Sequence, residues 1–385
     1  MSGTNLERAG DHNQRVTLQA VRAAGDATVT RAEIADLTGL TPPAVANITN
    51  RLLKDGLIQK AGRLLGGRGQ PATKLIVNPD GAFSIGLNID RDHITIVALD
   101  FLGQVRARIC REIHFAMPDA VVAFFKEEIA RIAAQKAIDF KRLIGLGIAI
   151  PDDLGRIPLA NRPDAYRVWS EIDVAGLFAD IMPGPVFVEN DATAAAIGEM
   201  QFGHGLQHRN FLYTLISAGL GGGLVVDGHY VRGADGRSGE IGFLPVAEGR
   251  TLEDVVSLYA LYDDLRKAGF EVSTPDDLEA LPEDGLIRVE AWLDRAAEHL
   301  AGPFLVMNCA FNPAAHFIGG RLPARFIESL CGKVNVRLQS YSPGVRNIAP
   351  VKRAELAVDA AARGAGILPF NERFLPIREA LMKTA

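Results

Sequence analysis

Apolar residues recur every three or four positions near the start of the chain, which predicts three short helices: "NQRVTLQAVRAAG", "TRAEIADLTGL" and "TPPAVANITNRLLKDG". Thr30 and Glu33 form a capping box at the start of the second helix, and Gly39 is placed to end it. Thr41 is the predicted cap of the third helix, and Pro42 occupies its first position. Two short helices joined by a glycine-containing turn are typical of a helix-turn-helix.

The second and third helices each divide into an apolar and a polar face. Ile34 and Leu37 form the predicted apolar face of the second helix. The third helix should bury one row of side chains: Val45, Ile48, Thr49 and Leu52. Its opposite face, with the residues at its start, is the candidate DNA-contacting surface: Thr41, Pro43, Asn47, Asn50 and Arg51. Asparagine and arginine side chains can each bond a base through two atoms, so the last three are candidate base contacts.

A β-hairpin follows these helices. "GLIQKAG" and "ATKLIVN" have the character of strands, and the glycine-rich "RLLGGRGQP" connects them. Arg63 and Arg68 lie in this connection, where an arginine on a flexible tip can enter a narrow minor groove. The whole order predicts a winged helix-turn-helix that binds DNA; a winged helix used for protein contacts is the alternative.

The remainder of the chain alternates strand and helix patterns, as in "LIGLGIAIP", "AVVAFFKEEIARIAAQKAI" and "VFVENDATAAAIGEM". Such alternation predicts an α/β body. The pattern occurs twice, around 84–190 and 191–330, so we expect two similar lobes with a cleft between them. "LISAGLGGGLVVDGHY" raises the question of nucleotide binding, because clustered glycines after a strand can cradle phosphate. A tight strand-to-strand turn is the interpretation that we favour for it.

Composition and charge narrow the class of protein. The chain has 385 residues, 48% of them apolar, and contains no long uncharged apolar stretch or apolar signal core. Three distant cysteines without a CxxC spacing indicate a reducing compartment, so we expect a cytoplasmic protein. Residues 1–80 hold ten Lys and Arg against seven Asp and Glu, whereas the whole chain carries a net charge of −5. A mildly basic head on an acidic body fits a nucleic-acid module fused to another domain.

Three long motifs of the body closely resemble the ROK family of repressors, open reading frames and kinases: "VFVENDATAAAIGEMQFG", "ISAGLGGGLVVDGHYVRGADGRSGEIGFLPV" and "FNPAAHFIGG". The resemblance implies a two-lobed actin-like (ribonuclease H-like) sugar-kinase fold behind the winged helix. It implies a DNA-binding domain over 1–80 and a first lobe over 81–190, completed by a C-terminal helix at about 355–385. The second lobe would span 191–354.

The nucleotide site implied by the family is altered in this chain. Family kinases hold ATP between two glycine-rich turns, and the first, D-I-G-G-T, matches "NIDRDH" here. Asn88 replaces its aspartate, Asp90 and Arg91 replace both glycines, and Asp92 replaces threonine. The new carboxylates would repel a triphosphate by about 1 kcal/mol each at 4 Å in water, and more in a cleft. Ala218 replaces a threonine of the second turn, so ATP is not expected to bind.

The sugar site implied by the family is better preserved. The resemblance assigns sugar contacts to residues that supply carboxylate or amide groups: Asn161, Asn190, Asp191, Glu240 and Glu253. Asp191 matches the general base of the kinases and can also cap the helix "ATAAAIGEM". Trp169 could stack on a sugar or lie in the core. Carboxylates suit polyols because charged acceptors make strong bonds to hydroxyl groups.

The zinc motif of the family is missing. Phe243 stands at its histidine, and "AEGRTLEDVV" continues without a cysteine. Zinc needs about four nitrogen or sulfur ligands, so we expect neither a metal nor another cofactor. The same phenylalanine removes a polar sugar contact, so the ligand could be less polar on one side.

The sequence therefore predicts a sugar-responsive transcriptional regulator, a repressor rather than an enzyme. Its expected partners are double-stranded operator DNA and a sugar or sugar derivative, with no membrane partner. The family implies a homodimer or homotetramer. Two alternatives stay open: an ATP-dependent sugar kinase with a DNA-binding head, and a regulator that senses a protein partner.

Overall fold

A computed structural model describes residues 6–376, apart from positions 26, 65–71, 153, 157–161, 235, 237 and 342–343. Its α-helices are α1 (Leu6–Ala23), α2 (Arg31–Thr38), α3 (Pro42–Lys54), α4 (Pro118–Ala134), α5 (Val174–Phe178), α6 (Asp191–Phe202), α7 (Leu258–Lys267), α8 (Pro275–Glu279), α9 (Glu283–Phe311), α10 (Ala324–Gln339) and α11 (Ala360–Phe374). Its strands are β1 (Val29–Thr30), β2 (Ile58–Leu64), β3 (Ala72–Val77), β4 (Phe83–Ile89), β5 (His93–Leu99), β6 (Val105–Glu112), β7 (Leu143–Ile150), β8 (Val186–Asn190), β9 (Phe211–Ile216), β10 (Leu220–Val226), β11 (His229–Tyr230), β12 (Ala315–Gly320) and β13 (Val351–Arg353).

The first three helices and the first sheet form the predicted winged helix-turn-helix. The capping box between Thr30 and Glu33 is present, and Gly39 ends α2 with a left-handed φ of 68°. The sheet has the antiparallel order β1-β3-β2, in which β2 and β3 form the predicted hairpin. One expectation is wrong: Ile34 is buried, but Leu37 is 70% exposed, because it falls on the solvent side of this short helix.

The body contains two five-stranded sheets with the same arrangement, which agrees with the expected repeat. The first has the order β6-β5-β4-β7-β8 and the second the order β11-β10-β9-β12-β13. In each sheet three antiparallel strands precede two parallel ones. The domain boundaries given above remain predictions.

Helices α6 and α11 pack on each other between these two sheets. Helix α11 contacts β4 and β7, whereas α6 contacts β9 and β10. Glycines permit the close approach: a Cβ on Gly364 would overlap the carbonyl oxygen of Ala194, and one on Gly147 would overlap that of Ala365. The C-terminal helix is thus part of the layer that joins both sheets.

The core of the DNA-binding head continues into the body. Leu18 and Val21 of α1 belong to the same hydrophobic cluster as Phe101, Ile197 of α6 and Phe370 of α11. Polar contacts supplement this packing, because Arg15 donates to the carbonyl oxygen of Leu375 at 3.0 Å. Within the described ranges, the helices are all too short or too polar to cross a bilayer.

The crossing of α6 and α11 leads to a stability prediction. We expect Gly364→Ala to lower the free energy of unfolding by about 1–3 kcal/mol, because the added methyl group overlaps the Ala194 carbonyl. Gly332→Ala in α10 is the matched control. No atom lies within 4 Å of its added Cβ, so it should raise stability by up to about 1 kcal/mol. Urea unfolding of both variants measures the difference; equal effects would contradict the packing described.

Candidate functional site

The candidate DNA-contacting face of α3 is exposed in the structure. Thr41 is the N-cap residue of α3 and Pro42 takes the first helical position, both as predicted, but the Thr41 side chain makes no capping hydrogen bond. Its hydroxyl is therefore not engaged by the helix N-terminus. The predicted buried row lies in the core, while the predicted outer residues are on the outer face: Thr41, Pro43, Asn47, Asn50 and Arg51.

Arg31 organises part of this face, and the sequence analysis did not identify it. Its guanidinium donates to Thr49 Oγ1 at 2.8 Å and to Asn50 Oδ1 at 2.5 Å. Asn50 is thus already engaged within the head, so Asn47 and Arg51 are the stronger candidates for base contacts. Arg63 is exposed on β2, and Arg68 lies outside the described residues.

The cleft carboxylate Asp191 lies where β8 meets α6. Asn190 is the helix cap, and its side-chain oxygen accepts the Thr193 N–H at 3.0 Å. Asp191 is the first helical residue, so its expected capping role is wrong. The cap belongs to the preceding side chain, and within the part of the chain that the structure describes Asp191 accepts its hydrogen bond from the Ala192 N–H at 2.8 Å.

Asp191 is 8% exposed and lies in a negatively charged environment. Burial, with the negative charge of Asp90 as the second cause, raises the pKa of Asp191 to about 7. Asp152 adds to this increase, whereas Arg91 opposes it. At neutral pH this carboxyl group can therefore donate as well as accept a hydrogen bond, which suits the hydroxyl group of a ligand.

The glycine cluster of the second sheet serves packing. Ser217–Gly219 forms a tight turn between β9 and β10, as favoured above, while Gly221–Gly223 belong to β10. A Cβ on Gly221 would lie 2.6 Å from the Cβ of Ala192, and one on Gly223 would overlap that of Ala196. These glycines let α6 lie directly on the strand.

A protein carboxylate occupies the turn itself. Glu253 Oε2 accepts the Leu220 N–H at 2.8 Å, and Glu253 Oε1 lies 3.9 Å from Arg91 Nη1. A Cβ on Gly219 would overlap both side chains. Glu253, expected to contact a sugar, therefore makes its described contacts with this turn and with Arg91.

Arg91 reaches this turn from the opposite lobe. Its side chain is 4% exposed, and its guanidinium also lies 5.8 Å from the ring centre of Tyr259. Arg321, at the end of β12, crosses in the other direction. It donates to Asp92 Oδ2 at 3.4 Å and pairs with Glu112. Ion pairs of Arg91 and Arg321 thus join the lobes.

Two predicted sugar contacts, Glu240 and Asn161, and the possible stacking residue Trp169 remain to be placed. Glu240 precedes the short helical turn Ile241–Phe243, and this segment packs on β10 at Gly222. Phe243 is 71% exposed, so it can offer an apolar surface beside Glu240. Asn161 lies outside the described residues. Trp169 is a core residue, because it is buried and its indole N–H donates to the Ala116 carbonyl at 2.9 Å.

Two family models match this chain. The family model "ROK family" matches residues 84–371, and "Winged helix-turn-helix DNA-binding" matches residues 11–59. The chain belongs to the ROK family.

Relatives of this ROK protein include regulators. It is 30% identical to "Uncharacterized protein y4fQ" of Sinorhizobium fredii over 353 residues, 90% of this chain and 88% of that protein. It is 27% identical to the xylose repressor of Bacillus subtilis, over 61% of this chain and 60% of the repressor. For the Escherichia coli regulator NagC the identity is 24%, over 57% of this chain and 54% of NagC.

Solved structures show the same fold. A ROK family transcriptional regulator, a homologue of the E. coli MLC protein, matches with a TM-score of 0.67 and 22% identity, over 96% of this chain and 99% of that chain. A ROK family glucokinase from Streptomyces griseus matches with a TM-score of 0.59 and 22% identity, over 74% of this chain and 99% of that chain. The body of this ROK chain thus shares its fold with a kinase, and its full length with a regulator.

Sequence reasoning about this ROK chain missed the residues that act across the cleft. Arg321 and Tyr259 stand far from the glycine-rich motifs, and neither has a motif of its own. The signal that could have indicated them was the charge of Asp90, Arg91 and Asp92, which needs partners once the segment is buried. The partners themselves follow only from the tertiary fold.

The pKa of Asp191 leads to a pH-dependent stability prediction. Its value is about 7 in the folded protein and 3.8 in a model peptide, so the folded state retains a proton that the unfolded chain releases. This contribution to stability is complete below about pH 4 and is lost as the pH rises through about 7. The amide of an asparagine side chain cannot ionise. We therefore expect Asp191→Asn to gain stability relative to the wild type, by up to about 1.4 kcal/mol per pH unit as the pH rises from 5 to 7.

Urea unfolding at pH 5 and pH 8 measures this difference. Asp180→Asn, at an exposed position, is the matched control and should follow the wild type at both pH values. Parallel pH dependence of the wild type and Asp191→Asn would show that Asp191 ionises normally in the fold.

Proposed function

We propose that this ROK protein is a sugar-responsive DNA-binding repressor that works without a nucleotide. The observation that carries the proposal is a winged helix-turn-helix with an exposed polar recognition face, packed on a kinase-like body whose turn at Ser217–Gly219 is filled by Glu253 and Arg91. Relatives named as a xylose repressor and as a DNA-binding transcriptional dual regulator support the regulatory role.

The head would bind operator DNA through the major groove. Asn47 and Arg51 lie on the outer face of α3 and have the chemistry of base contacts, and Arg63 lies at the start of the wing. The expected homodimer or homotetramer would place two heads on half-sites about 34 Å apart. Affinity would depend strongly on salt, because phosphate contacts release counterions.

The effector would bind at the N-terminal end of α6. Asp191 and Asn190 lie there, and Glu240 lies on the segment that packs over β10. A sugar or sugar derivative is the ligand class, because carboxyl and amide groups match the hydroxyl pattern of a polyol. The exposed Phe243 would favour a ligand with one apolar face.

Loss of kinase activity is part of the proposal. A nucleotide phosphate at the Ser217–Gly219 turn would have to displace Glu253 from the Leu220 N–H and from Arg91. It would also meet the carboxylates of Asp90 and Asp92, which like-charge repulsion makes unfavourable. Asp191 would therefore act as a binding group and not as a general base.

Helix α6 would connect the effector site with the DNA-binding head. Its first residue is Asp191, and its last residue is Phe202. The guanidinium of Arg22, in α1 of the head, lies 4.3 Å from the ring centre of Phe202. A ligand that moves the first turn of α6 would therefore change the contact between Phe202 and Arg22 of the DNA-binding head.

A DNA-binding assay with a panel of sugars tests this function. Fluorescence anisotropy with labelled DNA from the region upstream of the gene that encodes this protein would report DNA binding. We expect Arg51→Ala to weaken DNA binding by roughly 1–3 kcal/mol. At least one sugar should change the affinity of the wild type, and Asp191→Asn should bind DNA normally but lose that response, whereas Asp180→Asn should retain it.

Two outcomes would contradict the proposal. DNA binding that no sugar alters, together with no thermal shift in any sugar, would favour a regulator that senses a protein partner. A ligand at 100 times its Kd stabilises a protein by about 2.7 kcal/mol, so a true effector would be visible. ATP-dependent sugar phosphorylation that is lost in Asp191→Asn would favour the kinase alternative.

A further inference from the structure

The turn between β4 and β5 brings two aspartates and a histidine together in the core. Asp90 Oδ1 accepts the Arg91 N–H at 2.7 Å, and Asp92 Oδ2 faces Arg321 at 3.4 Å. The second oxygen of each carboxylate faces His93 instead. Asp92 Oδ1 lies 2.6 Å and Asp90 Oδ2 lies 4.0 Å from His93 Nδ1. Three potential ligand atoms therefore converge on one point.

Two polar atoms in this cluster lack hydrogen-bond partners among the described residues. They are Asp90 Oδ2 and Asn88 Oδ1, and their side chains are buried. A buried carboxylate oxygen without a partner costs free energy, so such an atom indicates a partner that the protein side chains do not supply.

The orientation of Asn88 connects the two unpaired atoms. Its amide nitrogen lies 2.9 Å from His93 Nε2. If the amide is turned by 180°, Oδ1 takes that position and accepts a hydrogen bond from Nε2–H, while the amide nitrogen moves to the position that Oδ1 now occupies. When Nε2 carries the only proton, the lone pair of His93 Nδ1 faces Asp92 Oδ1 and the unpartnered Asp90 Oδ2. Such an arrangement is repulsive unless a second proton or a metal cation lies between the three atoms.

We propose that Asp90, Asp92 and His93 bind a divalent metal ion of the Zn²⁺ or Mn²⁺ class. Their ligand atoms lie within 4.8 Å of one another, and all three residues are buried. One imidazole nitrogen with two carboxylates suits these ions better than Mg²⁺ or Ca²⁺, which prefer oxygen ligands alone. Asn88 would hold the imidazole in the metal-binding tautomer, as groups behind metal ligands commonly do.

The surroundings provide room and charge for the ion. A cavity of about 20 Å³ adjoins Asn88, Asp90 and His93, which is enough for one water molecule as a fourth ligand. Arg91 and Arg321 are outnumbered by the carboxyl groups of this region, which belong to Asp90, Asp92, Glu112, Asp191 and Glu253. A dication reduces this excess of negative charge.

This inference departs from the expectation that the chain binds no metal. That expectation rested on the missing cysteine motif, whereas the present cluster has different ligands on a different turn. It also places the ion beside Arg321, which belongs to the second lobe.

Metal binding to the full-length protein tests the proposal. After treatment with a chelator and dialysis, the protein is titrated calorimetrically with ZnCl2, MnCl2 and MgCl2, and its metal content is measured by mass spectrometry. We expect about one Zn²⁺ or Mn²⁺ per chain, with Mg²⁺ much weaker. Asp90→Asn should weaken binding at least roughly tenfold, while Asp180→Asn should bind as the wild type does.

Further measurements distinguish loss of metal binding from loss of the fold. Circular dichroism of Asp90→Asn checks its fold, and Co²⁺ added to the wild type should give visible absorption bands that a His93→Gln variant lacks. A metal content far below one per chain, or equal affinity in the wild type and Asp90→Asn, would overturn the proposal. So would nitrogen NMR of the metal-supplemented protein showing His93 protonated on both nitrogens, since an imidazolium would then bridge the carboxylates.

Discussion

Two arginine side chains that extend in opposite directions between the lobes join the two halves of this body. Arg91 extends from the first lobe to Glu253, and Arg321 extends from the second lobe to Asp92. Both arginine side chains are largely buried, whereas Glu253 is 34% exposed. The contact therefore holds the two lobes together with groups that belong to the chain itself.

Asp191 lies close to this contact, since the charges of Asp90 and Arg91 both affect its pKa. Asp191 begins α6 with a raised pKa, and Phe202 ends the same helix against Arg22 of the DNA-binding head. One rigid helix thus connects a candidate ligand group with the head. The continuous hydrophobic cluster from α1 to α6 and α11 packs around that connection, so we expect a displacement at one end of α6 to move the other.

Local sequence signals predicted most of the fold because they act over a few residues. The capping box of Thr30, the strand-to-strand turn before Gly221 and the buried row of α3 were all predictable from spacing. The prediction that Leu37 is buried was wrong, because a helix as short as α2 does not bury every apolar residue of its apolar face. The cap of α6 was assigned one residue late, since asparagine and aspartate are adjacent and both suit that position. The pairing of Arg91 with Glu253 depends on residues 162 positions apart, which no local pattern reveals.

Nucleotide binding tests the central claim most directly. Isothermal titration of the full-length protein with a non-hydrolysable ATP analogue and Mg²⁺ measures whether the Ser217–Gly219 turn still accepts phosphate. The account predicts no saturable binding for the wild type, because Glu253 and Arg91 occupy that turn. Saturable binding of the nucleotide analogue by the wild type would contradict it.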